Sequence, residues 1–180
     1  NDVLDMSRIE SGSVKIEKTN IHLSDILEDL KTIILESVHA KQQKLLIKMQ
    51  DVVHEDIITD KLRLTQVLLN IISNAVKFTP IGGTIQILVE EKISQKVGYA
   101  VYSFCIKDNG IGIPGEDQSR VFERFYRVDK SHSKAIGGTG LGLSIVKHGV
   151  TFLGGTLKMV SEIGKGTEIT MTFPKERKAV

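Results

Sequence analysis

Hydrophobic residues recur at helical spacing in some segments of the chain and at every second position in others, as strands require. Helical spacing predicts helices over 24–39, 60–78, 118–126 and 140–152, and the end of another over 1–8. Alternation predicts strands over 14–17, 45–49, 56–59, 84–91, 99–107, 156–161 and 167–173. Helices lie between strands, and several strands form hairpins. The pattern therefore predicts an α+β or α/β two-layer sandwich with one mixed sheet.

The ends and faces of these elements carry further signals. Ser24 is a suitable N-cap for the first complete helix, and Pro80 prevents the helix over 60–78 from continuing. Cys105 is interpreted as a small buried strand residue. Residues 129–138 lack periodicity and are predicted to form a mobile loop. The core stripe predicted for the helix over 24–39 comprises Ile26, Leu27, Leu30, Ile33 and Ile34.

Composition narrows the range of functions. The 180 residues include 24 basic and 22 acidic side chains, a net charge of +2 that gives no strong reason to bind nucleic acid or an anionic membrane. One cysteine excludes an internal disulfide framework, and the five histidines show no metal-ligand spacing. The chain begins without methionine, so we expect it to be part of a longer protein, whose remainder can include a membrane anchor.

The helix over 60–78 carries an unusual polar face. Asn70, Asn74 and Lys77 are spaced i, i+4, i+7 and share one side, bordered by apolar residues. Amide oxygens suit Mg²⁺ and an ammonium suits phosphate. The face therefore indicates a lined pocket, with a solvated polar face as the alternative.

A second candidate follows the strand over 99–107. Asp108 lies at the strand end, and Gly110 and Gly112 allow close backbone approach to a ligand. A carboxylate there accepts from the amine of adenine and repels the carbonyl of guanine, which favours ATP over GTP. The alternative is an ordinary turn rich in Asp, Asn and Gly. The partial match to a dinucleotide-binding fingerprint is interrupted by Pro114 and carries little weight.

The strongest phosphate signal is the glycine-rich segment 137–144, which runs directly into a helix. Amides at a helix N-terminus attract anions without any net charge on the protein. A purely structural glycine cap is the alternative. The expected contacts are Thr139 and the amides of Gly140, Leu141 and Gly142.

Residues 120–127 place aromatic and basic side chains between these two segments. Phe122 and Phe125 fall on one side of the predicted helix, and Arg124 and Arg127 lie near another. With two lysines in the following loop, the arginines can reach a terminal phosphate. The alternative is a solvated charged face.

Taken in order, these motifs resemble the N, G1, F, G2 and G3 boxes of bacterial sensor histidine kinases of two-component systems. Residues 4–12 also resemble the end of the second dimerisation helix of that family. The five motifs are Asn70-x₃-Asn74-x₂-Lys77-Phe78-Thr-Pro80, Asp108-x-Gly110-x-Gly112, Phe122-Glu-Arg-Phe125, Gly138-Thr-Gly-Leu-Gly-Leu143 and Gly164-x-Gly166-Thr167.

The resemblance implies a Bergerat-type sandwich of the GHKL superfamily, with a mostly antiparallel mixed sheet covered by three main helices. It implies ATP between the Asn70 helix and a lid over 128–138, and Mg²⁺ held by Asn70 or Asn74. Catalytic roles are implied for Asn70, Lys77 and Arg127. The implied nucleotide-binding residues are Asn70, Asn74, Lys77, Asp108, Gly110, Gly112, Phe122, Arg124, Tyr126, Arg127, Gly138, Thr139, Gly140, Leu141, Gly142, Leu143 and Thr167.

The resemblance also implies a domain organisation and partners. Residues 1–12 would end a dimerisation helix, 13–176 form the ATP-binding catalytic domain and 177–180 a tail. None of the histidines has the context of the family's phosphoacceptor. The implied reaction is therefore transfer of the ATP γ-phosphoryl group to a histidine on dimerisation helices that the chain lacks, then to a response-regulator aspartate. The whole protein would be a homodimer with this domain in the cytoplasm and an anchor in the membrane.

Three other classes share the fold or the pocket. An ATP-hydrolysing clamp would carry a glutamate as water-activating base four residues before the metal-binding asparagine, where this chain has Asn70. A non-catalytic nucleotide-binding or interaction module is the second alternative. A serine kinase of the anti-sigma type is the third.

Overall fold

The computed structural model describes residues 15–128 and 138–177, which form one open sheet and three helices. The predicted helix end over 1–8 and most of the predicted loop over 129–138 lie outside these ranges. In chain order the elements are β1 Thr19–His22, α1 Leu23–Ala40, β2 Lys44–Gln50, β3 Asp56–Thr59, α2 Lys61–Phe78, β4 Thr84–Ile93, β5 Tyr99–Asp108, α3 Gly142–Phe152, β6 Thr156–Glu162 and β7 Gly166–Arg177.

The sheet is mixed but mostly antiparallel, as predicted. Six strands follow the order β1-β3-β7-β5-β4-β2. The remaining strand, β6, lies outside this order and pairs with residues 166–172 of β7. The pair β2 and β4 is parallel, whereas the other pairs are antiparallel. β7, the last strand in sequence, therefore lies between β3 and β5 near the middle of the sheet.

One hydrophobic cluster joins the sheet to all three helices. Tyr102 and Phe104 of β5 are almost completely buried, and the Phe104 ring meets that of Phe173 edge to face, with centroids 5.9 Å apart. Leu68 of α2 and Val146 of α3 are fully buried against this layer. Because strands bury alternate residues, one sheet face packs on the helices and the other faces solvent. The predicted two-layer sandwich is confirmed.

The strand predicted over 14–17 is wrong, because the first strand of the described chain is Thr19–His22. The backbone N–H of Glu17 donates to the carboxylate of Asp60 at 3.1 Å and so is not part of a ladder. Pairing with β3 begins only at Thr19, which lies opposite Thr59. The Asp60 carboxylate, which is not part of the sheet, thus accepts the hydrogen bond that a neighbouring strand would otherwise accept.

Two details of α1 also differ from prediction. The helix begins at Leu23 with His22 as N-cap, and the Ser24 hydroxyl donates to the carboxylate of Glu55 instead of capping the helix. Ile33 is 56% exposed, so it lies outside the core stripe. Cys105 is half-buried, where the prediction made it buried. The buried stripe comprises Leu23, Ile26, Leu27, Leu30, Ile34 and Val38.

The helix predicted over 118–126 is also wrong, since this segment forms consecutive turns. Short-range hydrogen bonds hold it, such as Glu123 N–H to the Arg120 carbonyl at 2.8 Å. Phe125 has φ +60°, a left-handed conformation that ends any helix, and its N–H donates to the Gly140 carbonyl at 3.0 Å. The glycine loop, distant in sequence, thus determines the local backbone here.

No helix in the described ranges combines the length and apolarity needed to cross a membrane.

Candidate functional site

The helix α2, which carries the predicted amide face, is held at its N-terminus by Asp60. One carboxylate oxygen accepts from the backbone N–H of Arg63 at 3.0 Å, the geometry of an N-cap. The other oxygen accepts from Glu17, as described above. Asp60 is 5% exposed, so its carboxylate bonds are shielded from water.

The C-terminus of α2 is held by two side chains that sequence reasoning missed. The Lys41 ammonium donates to the carbonyls of Val76, Lys77 and Thr79 at 2.9, 2.8 and 2.9 Å. The Gln43 amide donates to the carbonyls of Val76 and Thr79 at 3.0 and 2.7 Å. A cation at a helix C-terminus satisfies free carbonyls and complements the helix dipole. The only sequence signal was a basic residue directly after α1, which is too common to identify this role.

Asn70 and Asn74 lie where α2 meets the N-terminus of α3. A Cβ placed on Gly142 would be 3.2 Å from Asn70 Oδ1 and 3.9 Å from Asn74 Nδ2. The Asn70 Nδ2 donates to the Gln66 carbonyl at 3.0 Å, which leaves Oδ1 directed toward α3. The structure therefore brings the predicted amide face and the predicted glycine loop together.

Lys77 reaches the other end of that loop. A Cβ on Gly138 would lie 2.8 Å from Lys77 Nζ. Burial, and then the charge of Arg127, lower the pKa of Lys77, so the positive charge of Arg127 acts on the Lys77 ammonium. The charge of Arg124 acts instead on His148 of α3, whose pKa is lowered first by burial and then by Arg124. Two cations beside a glycine loop favour an anion there.

The glycine loop itself requires glycine at Gly140. Its φ is +73°, and a Cβ there would be 2.9 Å from the Phe125 backbone. Leu141 is the N-cap residue of α3 and makes no side-chain capping bond, while its own N–H donates to Thr139 Oγ1 at 3.3 Å. The side chain of Leu141 is buried against Ile145. The loop therefore leaves the start of α3 without the usual capping side chain, as an anion site requires.

Asp108 closes the base of a narrow cavity of about 60 Å³ between α2 and the sheet. Its side chain is 9% exposed, and Oδ1 accepts from the N–H groups of Gly110 at 2.8 Å and Thr167 at 3.3 Å. Burial raises the pKa of this carboxyl, and the two hydrogen bonds oppose the rise. The cavity is lined by Ile71, Asn74, Ala75, Phe78, Ile106, Asp108, Leu143, Thr167 and Ile169.

Gly110 and Gly112 are explained by close backbone packing around this cavity. A Cβ on Gly110 would be 2.5 Å from the Phe78 carbonyl, and one on Gly112 would be 2.0 Å from the Glu162 carbonyl. Gly112 also has φ +71°. These contacts join the end of α2, the end of β5 and the β6–β7 turn into one frame for the cavity.

Two aromatic residues that were predicted to bind the nucleotide, Phe122 and Tyr126, lie away from this cavity. Neither Phe122 nor Tyr126 lines it among the described residues. The Tyr126 hydroxyl donates to the carboxylate of Asp117, and its ring lies 4.3 Å from the Arg120 guanidinium. Phe122 is half-buried in the turn segment.

A larger groove of about 420 Å³ lies between α1 and the edge strand β2, away from these motifs. Its walls include Leu27, Leu45 and Ile47, and its charged residues Glu28 and Lys31 pair with each other at 3.3 Å. It contains no glycine loop and no convergent hydrogen-bonding groups. The smaller cavity, with its buried carboxylate beside a helix N-terminus, is the better candidate for a ligand site.

Comparison with known proteins agrees with the fold and with the family resemblance. Residues 59–177 match the family described as Histidine kinase-, DNA gyrase B-, and HSP90-like ATPase, and the chain belongs to this family. Its domain is of the kind found in sensor histidine kinases, which confirms the resemblance drawn from the motifs.

Curated relatives include the signal transduction histidine-protein kinase BarA of Escherichia coli K12, 40% identical over 167 residues, which are 93% of this chain and 18% of BarA. The autoinducer 2 sensor kinase/phosphatase LuxQ of Vibrio parahaemolyticus is 36% identical over 181 residues, covering 100% of this chain and 21% of LuxQ. The chain thus spans about a fifth of the length of these relatives. A crystal structure of full-length ShkA in complex with AMPPNP superposes with a TM-score of 0.80 at 27% identity, covering 100% of this chain and 36% of that chain.

Proposed function

We propose that the chain is the catalytic domain of a sensor histidine kinase, which binds ATP with Mg²⁺ and donates the γ-phosphoryl group to a histidine on a dimerisation helix outside the chain. The observation that carries this proposal is the joining of two half-sites. A cavity with Asp108 at its base shares Asn74 and Leu143 with the α2–α3 junction, where the glycine loop begins a helix. A base site continuous with a phosphate site is what a nucleotide requires.

The base half of the site suits adenine. The walls of the cavity are mostly apolar, and Asp108 is the carboxylate among them. A buried carboxylate accepts hydrogen bonds from an exocyclic amine, whereas the carbonyl of guanine would place two acceptors against each other. The hydrogen bonds from Gly110 and Thr167 both reach Oδ1, which leaves Oδ2 as the oxygen for the base.

The phosphate half combines amides with cations. The uncapped start of α3 supplies backbone N–H groups for the phosphates, and Lys77 with Arg127 supplies positive charge beside Gly138. Thr139 and Gly140 shape the loop. In this proposal Arg127, whose charge acts on Lys77, is the arginine at the phosphates, and Arg124 lies toward His148. Transfer then depends on positioning and charge neutralisation.

The donor set at the junction fits Mg²⁺. Asn70 Oδ1 is directed toward the loop, and amide oxygens are ligands of the hard type that Mg²⁺ accepts alongside phosphate oxygens and water. The described residues contain no group of three or more His, Cys, Asp or Glu side chains that could hold a metal ion without phosphate. The metal contact falls to Asn70 or Asn74, and Asn74, which also lines the base cavity, occupies the position of the metal-binding asparagine in clamp-type ATPases. When bound, the ion neutralises phosphate charge.

Phosphoryl transfer is favoured over hydrolysis because the chain has Asn70 where clamp-type ATPases would have a glutamate. An amide cannot take a proton from water. We propose further that residues 1–12 are the C-terminal end of a dimerisation helix and its linker, that 13–176 form the ATP-binding catalytic domain and that 177–180 are a tail. The whole protein is a membrane-anchored homodimer with this domain in the cytoplasm, and an aspartate of a receiver domain accepts the phosphoryl group.

Calorimetry with ATP and Mg²⁺ tests the pocket. The wild-type chain should bind, and Asp108→Asn should bind about 10- to 100-fold more weakly, because an amide replaces the charged acceptor of the amine. Asp29→Asn, an exposed carboxylate on α1, is the matched control and should bind as the wild type does. No heat with the wild type, or equal affinity for both variants, would contradict the assignment.

Transfer requires an acceptor in trans. The dimerisation helices of BarA, supplied as a separate chain, should gain acid-labile phosphate from γ-labelled ATP in the presence of this chain. Asp108→Asn should slow that labelling at low ATP. If ATP binds but labelling equals that without the chain, the domain binds nucleotide without acting as a kinase.

A further inference from the structure

The hydroxyl of Ser161 on β6 contacts two other parts of the nucleotide cavity's frame. It accepts from the backbone N–H of Ile113 at 2.8 Å and lies 3.0 Å from the Gly166 carbonyl and 2.8 Å from the Thr167 hydroxyl. Ile113 belongs to the loop after Asp108, and Thr167 begins β7. One serine oxygen therefore contacts two segments that surround the base cavity.

Counting protons decides which hydroxyl donates. A serine hydroxyl has one proton and two lone pairs, a carbonyl can only accept, and an N–H can only donate. If Ser161 donates to Gly166, its second lone pair accepts the proton of Thr167, and both hydroxyl protons are bonded. If Ser161 donated to Thr167 instead, the Thr167 proton would have no protein acceptor among the described residues. The first arrangement satisfies more groups.

The direction of the Thr167 proton has a chemical consequence in the cavity. Thr167 lines the cavity beside Asp108, and its N–H donates to Asp108 Oδ1. With its own proton committed to Ser161, the Thr167 oxygen can only accept. Beside Asp108 the cavity then presents two acceptors, the carboxylate and the Thr167 oxygen, and no donating hydroxyl, while the amide of Asn74 lines another part of it.

We propose that Ser161 is a specificity-determining positioning residue: by taking the Thr167 proton, it makes the base cavity accept an amine and reject a carbonyl at the same place. This inference rests on the proposed nucleotide function. The amine of adenine carries two N–H groups, enough for both acceptors. A purine with a carbonyl there offers no proton at that position, because its nearest proton is on the neighbouring ring nitrogen, and Thr167 cannot turn to supply one.

The surrounding frame does not depend on Ser161 alone. The Gln118 amide donates to the carbonyls of Ile113 and Ser161 at 2.9 and 2.8 Å. The backbone of Ser161 pairs with that of Thr167 in the β6–β7 ladder. Removing the Ser161 hydroxyl therefore leaves these backbone contacts in place, and Ser161→Ala should fold.

The test compares ATP with inosine triphosphate, which has a carbonyl oxygen where ATP has the amine. Calorimetry should show that Ser161→Ala reduces the preference for ATP over inosine triphosphate by about tenfold, the value of one hydrogen bond gained or lost, because Thr167 is then free to donate. Ser161→Thr keeps the hydroxyl and should restore the wild-type preference. Thermal unfolding checks that all variants are folded.

A double-mutant comparison separates this role from simple support of the loop. In a Thr167→Val background there is no hydroxyl to orient, so Ser161→Ala should leave the ratio of the two affinities unchanged. If Ser161→Ala weakens both nucleotides equally in the wild-type background, Ser161 is only structural and the proposal is overturned. If the wild type binds neither nucleotide, the proposed function itself has failed.

Discussion

Lys175 on β7 offers a measurable link between burial and pH. It is 8% exposed, and its ammonium donates to the carbonyl of Leu153, the C-cap residue of α3, at 2.6 Å. Burial, and then the charge of Lys18, lower its pKa from 10.5 to about 8. The replacement Lys175→Met keeps the length of the side chain and removes the titrating group.

The sign and size of the effect follow from proton linkage. Because the folded-state pKa is lower than the unfolded one, the unfolded chain binds more protons between pH 8 and pH 10.5, and stability rises with pH across that window. Burying the charge costs about 3 kcal/mol well below the window. Raising the pH from about 7.5 to about 9.5 should recover about 2 kcal/mol of the free energy of unfolding.

Urea unfolding at these two pH values measures that recovery. The wild type should gain about 2 kcal/mol relative to Lys175→Met, since other titrating groups are common to both proteins and cancel. Lys158→Met, at an exposed position on the neighbouring strand β6, should follow the wild type. If the wild type and Lys175→Met change in parallel with pH, Lys175 remains charged throughout and its burial does not carry the cost described.

Two further substitutions test the frame of the site and the β2–β3 loop. A Cβ on Gly166 would lie 1.9 Å from the Asp108 carbonyl at φ +105°, whereas one on Gly164, at φ +76°, meets nothing within 4 Å. Gly164→Ala should therefore cost about 1 kcal/mol and Gly166→Ala at least about 3 in urea unfolding; equal costs would contradict the close approach. Glu91 accepts from the backbone N–H groups of Val53 and His54 at 2.7 Å each. Burial raises the pKa of Glu91, but these bonds and the His54 ring lower it by more, so the net shift is downward. Glu91→Gln should be less stable by about 1 to 3 kcal/mol at neutral pH, and the difference should shrink as pH falls below the ordinary glutamate pKa; a pH-independent difference would refute the ionic contribution.

The overall architecture could be predicted because each main element carries its own periodic signal. The alternation of β5 and the apolar faces of α2 and α3 are local properties, and the sheet and helices follow from them. The face of Asn70, Asn74 and Lys77 was likewise readable, because helix geometry alone places these residues together. The glycine loop was readable from its position directly before a helix.

The parts that could not be predicted depend on partners far away in sequence. Phe125 has a left-handed backbone because Gly140 packs against it, so the helix predicted there does not form. Lys41 caps a helix that begins after it along the chain, and Lys175 caps one from the neighbouring layer. Ser161 is an ordinary strand residue until the ladder places it beside Thr167. None of these roles has a local pattern.

The position of β7 has a consequence for how the chain folds during synthesis. This strand follows all the others in sequence, yet it pairs with β3, β5 and β6. Before residues 166–177 have left the ribosome, β1 can pair only with β3, and β4 only with β2 and β5. These two groups of strands are then separate and have exposed edges. Such edges are prone to aggregation and attract chaperones. The domain should therefore gain its protease resistance in one late step, when its last strand leaves the ribosome.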